Sequence, residues 1–497
     1  MQFEYSAGLP QNISADTLVI FTPQISGVTD RLLKEIDKGK DGALSFLVKE
    51  EEFTGKANQI AGFYKPAGFK ASRVLLAGLG EKKSVNHDAF RKAAGTIAKN
   101  ESINKSDTVA FYFESLRDEK FYQAVCEGFL LGGFKMLDYK SKKDENRPSR
   151  IKKITFVVSD RKQLSKMQKS AERGRIIAEA QILARRLSFT PSNDLTPKIL
   201  AQKALELARA NKIKCTILEK DAIVKEKMGG LLAVSKGSLD QPKFIILEYK
   251  GAAAKRPPVV LVGKGVTFDA GGISIKPAAD MHEMKGDMTG AAVMLATTIC
   301  AAKLKLPLNI LTLIPSTENM PSGTAYKPGD VITMRKGLTV EIINTDAEGR
   351  LILADALDYA NNFKPEAVID IATLTGGALY VLGYSGAPIV ANNKKLADSL
   401  RKAADSSAER VWELPLWDDY RELMKSPIAD LWNSGGRTAP TLTASAFLQC
   451  FIGDYNWAHI DIAYMDLEKS GQPYIPKGPT GFGVRLLVEL LSNWKKL

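Results

Sequence analysis

The stretch NTDAEGR, residues 344–350, places the ionisable residues Asp346, Glu348 and Arg350 at alternate positions. Two carboxylates this close repel each other unless a cation lies between them. If the stretch is extended, all three side chains project from the same face of the chain. The stretch therefore predicts a cation site, most simply for a metal ion.

Two upstream segments carry a second group of ionisable residues. They are GKGVTFDAGGISIKP (263–277) and EMKGDMTGAA (283–292). Their candidate site residues are Lys264, Asp269, Lys276 and Asp287. Taken singly, each of these residues is more simply a turn, cap or surface residue. Taken together, on loops that can converge, they favour one shared site.

The charges of this set suit a paired-metal centre. The four carboxylates of Asp269, Asp287, Asp346 and Glu348 balance two divalent cations, and Lys264 serves as an amine ligand only when it is deprotonated. Lys276 and Arg350 then remain as positive charge for a developing oxyanion. A paired-metal centre polarises a carbonyl and supplies hydroxide near neutral pH, which suits amide hydrolysis. Spacing alone does not separate such a hydrolase from a phosphate-handling enzyme.

The elements that position these loops alternate between strand and helix. Predicted strands are 17–21, 73–79, 108–113, 153–159, 214–219, 244–250, 258–264, 308–315 and 367–374, with a hairpin at 331–344. Predicted helices are 87–100, 119–134, 166–187, 197–210, 284–303 and 351–362. This α/β pattern predicts a largely parallel sheet with helices on both faces. Sites in such sheets form at the carboxyl ends of the strands, where the charged loops lie.

We divide the chain into an N-terminal α/β domain (1–165), a connecting helix and loop (166–195) and a C-terminal α/β/α catalytic domain (196–497). The length of 497 residues accommodates these parts. The sequence has no membrane-length apolar run and no visible secretory signal, and its four Cys form no motif. These features predict a cytoplasmic protein. With only three His, carboxylates must supply most ligands of any catalytic metal.

Several long segments of the chain resemble the leucyl aminopeptidase family, the cytosol aminopeptidases. NTDAEGRL (344–351) is similar to the family signature. Other segments match in the same order: MGGLLAVSKGS (228–238), VGKGVTFDAGGISIKP (262–277), MKGDMTGAA (284–292), ENMPSGTAYKPGDVI (318–332), DIATLTGGAL (370–379) and WAHIDIA (457–463). The similarity covers about the last three hundred residues. The first third resembles the family's variable N-terminal domain only in pattern and position.

The resemblance implies a role for each matching residue. The metal ligands would be Lys264, Asp269, Asp287, Asp346 and Glu348, of which Asp269 and Glu348 would bridge two divalent ions, Mn²⁺ or Zn²⁺. Lys276 and Arg350 would be catalytic, with the arginine holding a bicarbonate ion as general base. Substrate contacts would come from Met284, Thr373, Leu374, Gly376 and Ala463. His282 and His459 would have packing or hydrogen-bonding roles.

The resemblance therefore implies a metal-dependent leucyl aminopeptidase that releases N-terminal Leu and other mainly apolar residues. Short peptides would be the substrates, peptide turnover the role, and a homo-hexamer the assembly. One departure is Pro440, where relatives usually have Gly. We expect Pro440 to lie away from the ligand loops and to affect only local loop shape and side-chain preference.

Two alternatives stay open. The net charge of +13 and the basic segment 139–153, with seven Lys or Arg against two acids, allow a DNA-binding regulatory or architectural protein. DNA binding by that segment would depend on salt. The segment is more simply a solvated surface. A paired-metal phosphoesterase has similar ligand needs, but it would leave the long family motifs as coincidence.

Overall fold

The computed structural model describes residues 1–24, 45, 48–49, 53–114, 116, 118–141 and 150–497. The chain forms two compact units. The first comprises Met1–Glu179 with Lys469–Lys477, and the second comprises Ala180–Glu468 with Gly478–Leu497. The domain boundaries at residues 165 and 195 stay a prediction. Most of the basic segment 139–153 lies outside the described residues, since 142–149 are not among them.

The first unit is built on a six-stranded sheet. In spatial order its strands are Gln2–Ala7, Lys153–Val158, Thr108–Phe113, Thr17–Thr22, Arg73–Gly78 and Ile60–Tyr64. Every neighbouring pair is parallel except the last, which is antiparallel. The described helices that lie wholly within this unit are His87–Lys99, Glu101–Asn104 and Lys120–Gly132, with short 3-10 turns at Pro10–Asn12, Lys82–Ser84 and Arg161–Gln163. The helix Leu164–Phe189 begins in this unit.

The second unit contains a nine-stranded sheet. Its strands are, in order, Val411–Glu413, Ala387–Ala391, Asn456–Asp461, Ala367–Ala372, Val259–Gly263, Asn309–Asn319, Lys243–Lys250 and Lys214–Leu218, with Gly265–Asp269 beside Asn309–Asn319. The central strands run parallel, and antiparallel pairing is confined to the outer part of the sheet. The prediction of an α/β fold with a parallel-rich sheet is therefore confirmed.

Short strands accompany this sheet. Val331–Thr333, Thr339–Glu341 and Leu431–Trp432 form a small sheet, and Leu467–Glu468 pairs with Gly478–Pro479. The helices that lie wholly within this unit are Pro197–Ala210, Lys220–Lys225, Gly229–Ser235, Thr289–Lys303, Glu348–Ala360, Gly377–Leu382, Lys394–Ser407, Asp418–Glu422, Pro440–Gln449 and Val484–Ser492. Two 3-10 helices are Met281–Gly286 and Asn361–Phe363.

The central strand Val259–Gly263 shows how helices cover both faces of the large sheet. Val260 and Val262 belong to an apolar cluster that includes Leu351 and Leu353 of the helix Glu348–Ala360. Alternate residues of a strand point to opposite faces. Accordingly, a Cβ on Gly263 would meet the backbone of Gly290 and Ala291 in the helix Thr289–Lys303, at 2.6–2.8 Å. Both helices thus pack on the strand whose end carries Lys264. No described helix is long and apolar enough to cross a membrane.

Candidate metal centre

Lys264 follows the central strand Val259–Gly263 and is held there by backbone hydrogen bonds. Its N–H donates to Ile371 O of the neighbouring strand at 3.3 Å, and its carbonyl accepts from Ala291 N at 2.8 Å. The side chain is 3% exposed, and Nζ donates to Thr373 O at 2.9 Å. The lysine is therefore fixed at the carboxyl end of two parallel strands.

Two lysines and four carboxylates meet at this edge of the sheet. Lys264 Nζ lies 2.8 Å from Asp287 Oδ2 and 2.9 Å from Glu348 Oε1. Lys276 Nζ lies 2.8 Å from Asp269 Oδ2 and 2.5 Å from Asp346 Oδ1. The structure thus brings together all the residues predicted as metal ligands, with Lys276 beside them.

Three of these carboxylates form a compact acidic group. One oxygen from each of Asp269, Asp346 and Glu348 lies within 4.8 Å of the other two. Asp269 and Glu348 are buried, and Asp346 is half-buried. Like charges at this separation repel in a low dielectric, so the group requires protons or cations.

Burial dominates the electrostatics of the cluster. It raises the pKa of Asp287 well above the ordinary value, and it raises the pKa of Asp346 and Glu348, with a further increase from Asp269 in each case. Burial opposes the charge of Lys264, yet Asp287 and Glu348 raise its pKa overall. The two lysine ammonium groups therefore supply the positive charge that the carboxylates need when no metal is bound.

The stretch 344–350 is not extended, so the condition for placing Asp346, Glu348 and Arg350 on one face is not met. The preceding strand ends at Glu341, and Glu348 is the first residue of the helix Glu348–Ala360. A carboxylate in the first turn suits the positive end of a helix dipole. The side chains of Glu348 and Arg350 therefore project from a helix rather than alternate along a strand. Tertiary folding, not strand alternation, brings Asp346 and Glu348 together.

Arg350 lies two residues into the same helix and is 6% exposed. Its Nη1 donates to Asn433 O at 2.8 Å, while Nε makes no hydrogen bond among the described residues. Burial lowers the pKa of Arg350 to about 10, although Glu348 and Asp461 oppose the shift. The guanidinium is thus charged at neutral pH and has an unused buried donor.

The predicted substrate-contacting residues surround the cluster. Thr373 Oγ1 donates to Asp287 Oδ1 at 2.8 Å. Asp461 Oδ1 accepts the N–H groups of Leu374 at 3.1 Å and Ala463 at 3.2 Å. Asp461 therefore joins two segments that the sequence singled out separately.

Met284 and Gly376 complete the predicted substrate set. Met284 lies in the 3-10 helix Met281–Gly286, and its carbonyl accepts from Asp287 N at 3.2 Å. Gly376 is close to Tyr464, whose hydroxyl would lie 3.7 Å from a Cβ at that position. Met284 is therefore tied to the segment that carries Asp287, and Gly376 lies beside the residue that follows Ala463.

Pro440 packs against the end of the predicted substrate-binding loop, and its expected distance from the ligand loops stays a prediction. Pro440 begins the helix Pro440–Gln449, and its Cγ would lie 2.5 Å from a Cβ on Gly377. Gly377 follows Gly376 in the loop 373–377. A proline can open a helix because its missing N–H would have no partner there. Pro440 thus packs on one of the loops that border the site.

Two polar residues around the site, Asn319 and Tyr326, belong to no sequence pattern that would single them out. Asn319 donates to Asp269 Oδ1 at 2.8 Å, and Tyr326 donates to Thr345 O at 2.7 Å. His459, predicted to have a packing or hydrogen-bonding role, is buried with Nδ1 2.5 Å from Asp370 Oδ1. Asn319 and Tyr326 lie within the matched segment 318–332, which was the available clue.

The donor set fits divalent metal ions. Asp287 Oδ2, Asp346 Oδ1 and Glu348 Oε1 are buried and make no well-aligned hydrogen bond with a described residue, although each contacts a lysine ammonium. Buried carboxylate oxygens without such partners are costly unless a cation binds them. Carboxylates with one amine suit Mn²⁺ and Zn²⁺ among divalent ions.

A parallel-rich α/β sheet with carboxylates and lysines at its carboxyl edge defines the class of metal-dependent hydrolases. Comparison with known proteins is more specific. Residues 182–488 match the cytosol aminopeptidase family, catalytic domain, and residues 19–143 match the N-terminal domain of the same family. The chain belongs to the cytosol aminopeptidase family and is a metallo-aminopeptidase.

Individual relatives agree with this assignment. A probable cytosol aminopeptidase of Geobacter sulfurreducens is 43% identical over 466 residues, covering 93% of each chain. One of Syntrophotalea carbinolica is 44% identical over 470 residues, covering 93% of this chain and 94% of the relative. The bottromycin maturation enzyme BotP in complex with Mn superposes with a TM-score of 0.84 at 31% identity, covering 96% of this chain and 99% of BotP.

Proposed function

We propose that the protein releases N-terminal residues, Leu and other mainly apolar ones, from short peptides by two-metal-assisted hydrolysis. The observation that carries the proposal is the convergence of Asp269, Asp346 and Glu348 beside Lys264 and Asp287. These five residues would hold two divalent ions, Mn²⁺ or Zn²⁺. When bound, such ions polarise the scissile carbonyl and provide hydroxide near neutral pH.

Lys276 would act on the substrate carbonyl. Its ammonium contacts Asp269 and Asp346, and its side chain is 21% exposed. Nearby carboxylates raise its pKa against the effect of burial, which keeps the group charged at neutral pH. A fixed positive charge there stabilises the oxyanion that develops during amide hydrolysis.

Arg350 would hold the bicarbonate ion that serves as general base. Its buried Nε has no hydrogen-bond partner among the described residues, and one Nη is already fixed by Asn433 O. A guanidinium with a free, rigid N–H edge binds planar carboxylate-like anions well. The role thus uses a donor that the surrounding chain leaves unoccupied.

The loop 373–376 would bind the peptide backbone. Asp461 accepts the N–H groups of Leu374 and Thr375, which fixes the backbone of the loop. Met284 and Ala463 would form the wall of the pocket for the first side chain. Recognition of a free α-amine by the metal centre would restrict cleavage to the N-terminal residue.

The proposal extends to assembly and cellular role. A homo-hexamer would restrict access to short peptides and fit a role in cytoplasmic peptide turnover. Exposed apolar side chains of the second unit, among them Tyr380, Trp412, Trp417 and Ile428, give surface for subunit contacts. Size-exclusion chromatography with light scattering measures the assembly directly. The DNA-binding alternative stays a prediction.

The test uses leucine p-nitroanilide and its N-acetyl derivative, with metal-free protein restored by Mn²⁺. We expect the free-amine substrate alone to be cleaved. Glu348→Gln should abolish this activity, whereas Asp330→Asn, a change in an exposed pair with Lys327, should retain it. A folded, Mn²⁺-restored protein that cleaves neither leucine p-nitroanilide nor several short peptides would overturn the proposal.

A further inference from the structure

Asn319 is a fully buried side chain whose amide donates hydrogen bonds to two loops of the metal centre. It is the last residue of the strand Asn309–Asn319, and it pairs in register with Asp269 of the neighbouring strand. Its exposure is 0%. Ala270 N donates to Asn319 O at 3.0 Å, which fixes the backbone next to Asp269. The amide is therefore placed by the main sheet itself.

The amide nitrogen of Asn319 makes two hydrogen bonds. Nδ2 donates to Asp269 Oδ1 at 2.8 Å and to Thr345 O at 3.0 Å. A flipped amide would put an oxygen against two acceptors, so the chemistry of the partners fixes the orientation. One side chain thus joins the loop that carries Asp269 to the loop that carries Asp346 and Glu348.

The bond from Asn319 distinguishes the two oxygens of Asp269. Oδ1 accepts from both Asn319 Nδ2 and Gly271 N, at 2.8 and 2.9 Å. Among these partners, Oδ2 contacts only Lys276 Nζ, at 2.8 Å, which is the mobile end of a side chain. The amide and the backbone N–H cannot move away from Oδ1 without disrupting the structure of the loop, whereas the end of the lysine side chain can rotate away from Oδ2. Oδ2 is therefore the oxygen that can turn to a cation.

Thr345 reinforces the same junction. Its Oγ1 donates to Gly271 O at 2.6 Å and accepts from Ser274 N at 2.7 Å. Its carbonyl accepts from Tyr326 Oη as well as from Asn319. The residue directly before Asp346 is therefore fixed to the residues directly after Asp269. This network sets the spacing between the two carboxylates.

The position of the Asn319 amide lowers the stability of the fold, which indicates that the side chain does more than pack. Asn319 Oδ1 is buried without a hydrogen-bond partner among the described residues. It would lie 2.8 Å from a Cβ on Gly272, where φ is +67°. An unpaired buried oxygen destabilises the fold, and such groups persist where they serve a site. The unpaired oxygen and the close approach of Gly272 both occur at the side chain that donates to Asp269 Oδ1.

We infer that Asn319 is a positioning residue of the metal centre: it holds Asp269 through Oδ1 so that Oδ2 alone faces the metal ions, and it fixes Thr345 so that Asp346 and Glu348 lie at ligand distance. The inference rests on the proposed function, because it concerns the same metal site. Partners that orient a metal ligand affect metal affinity by about 10–100-fold.

The experiment measures Mn²⁺ binding to metal-free protein by isothermal titration calorimetry, for the wild type, Asn319→Leu and Asn319→Ala. The control is Asn309→Leu, at the other end of the same strand, where Nδ2 donates to Ala253 O and Arg256 O. Asn319→Leu loses two buried amide hydrogen bonds, and Asn309→Leu loses three partly buried ones, so the control removes at least as many bonds. Thermal unfolding followed by circular dichroism reports the structural loss separately.

We expect Asn319→Leu to weaken Mn²⁺ binding about 10–100-fold, and Asn309→Leu to be destabilised without a change in Mn²⁺ affinity. Asn319→Ala gives the same test if the leucine variant does not fold. Wild-type affinity in a folded Asn319 variant overturns the inference. Equal weakening in Asn309→Leu also overturns it, since the effect would then be structural. If the wild type binds no Mn²⁺, the proposed function itself fails.

Discussion

Gly349 and Lys264 lie so close that a side chain on Gly349 would fit only if the end of Lys264 moved. A Cβ on Gly349 would be 2.6 Å from Cε and 2.7 Å from Nζ of Lys264. Gly349 is the second residue of the helix Glu348–Ala360, between the proposed ligand Glu348 and the catalytic candidate Arg350. The helix therefore brings its backbone, rather than a side chain, against the lysine.

Gly349→Ala should separate stability from activity. Ala favours a helix over Gly by up to about 1 kcal/mol, so the fold should be retained. The flexible end of Lys264 should move, and a misplacement of about 1 Å costs about 10²-fold in rate. Steady-state kinetics with leucine p-nitroanilide checks this expected loss of rate.

The control is Gly323→Ala, where a Cβ meets nothing within 4 Å, and this variant should keep full activity. A Gly349→Ala enzyme that is equally active would contradict the role of Lys264.

Lys264→Met should destabilise the metal-free protein more than the Mn²⁺-loaded protein. The substitution leaves Asp287 and Glu348 without their ammonium partner, and breaking a buried ion pair costs about 3–5 kcal/mol. Bound metal supplies the missing charge. Urea unfolding with and without Mn²⁺ measures the difference. Lys243→Met, which loses a pair with the exposed Glu219, should cost only about 0–1 kcal/mol in both states. A loss for Lys264→Met that Mn²⁺ does not reduce would be evidence against this account.

Arg350→Lys should lower kcat with little change in KM. Lysine retains the charge but lacks the guanidinium edge that includes the unpaired Nε. Loss of a group that acts in the transition state costs about 10²–10³-fold in kcat. The measurement is the dependence of rate on leucine p-nitroanilide concentration, with Arg335→Lys, in a pair with Asp358, as the control. An effect confined to KM would assign Arg350 to substrate binding.

Asp355 should make the protein less stable as pH rises. Burial raises the pKa of this carboxyl from its ordinary value of 3.8 to about 7. The folded state therefore holds a proton that the unfolded state releases between about pH 4 and pH 7, and the free energy of unfolding falls across that range. Asp355→Asn should remove this slope. Because Asn has one acceptor for the N–H groups of Leu231 and Arg335, a constant offset is also expected.

Urea unfolding of metal-free protein at several pH values measures the slope. The comparison is the difference between wild type and Asp355→Asn at each pH, because other carboxyl groups titrate in both proteins. A difference that is independent of pH from 4 to 7 would show that Asp355 is ionised throughout.

In the large sheet, the strands that were predicted are mostly continuous apolar runs, whereas Gly265–Asp269, Ala387–Ala391, Val411–Glu413 and Asn456–Asp461 were not predicted. Val259–Gly263 and Ala367–Ala372 are wholly buried, as expected for strands covered on both faces. Gln2–Ala7 was not predicted, since its residues QFEYSA are mostly half-exposed and mix polar with apolar types. A strand of that kind forms because Lys153–Val158 is there to pair with it.

The charged residues of the site were predictable from their types, but their supports were not. Asp269, Asp346 and Glu348 stand out because clustered carboxylates are costly without a cation. Asn319 and Asp461 do not stand out, because a single Asn or Asp after a strand is common. Their roles depend on contacts between residues far apart in sequence, such as Asn319 with Thr345 and Asp461 with Leu374. The helix start at Glu348 was missed for the same reason.

The most direct test is a titration of metal-free protein with Mn²⁺, followed by both calorimetry and cleavage of leucine p-nitroanilide. The proposed function predicts no cleavage without metal, and activity that rises with bound Mn²⁺ and saturates at about two ions per chain. Activity that saturates at one ion per chain would contradict the two-metal site. Full activity in protein stripped of metal by a chelator would contradict a metal-dependent mechanism altogether.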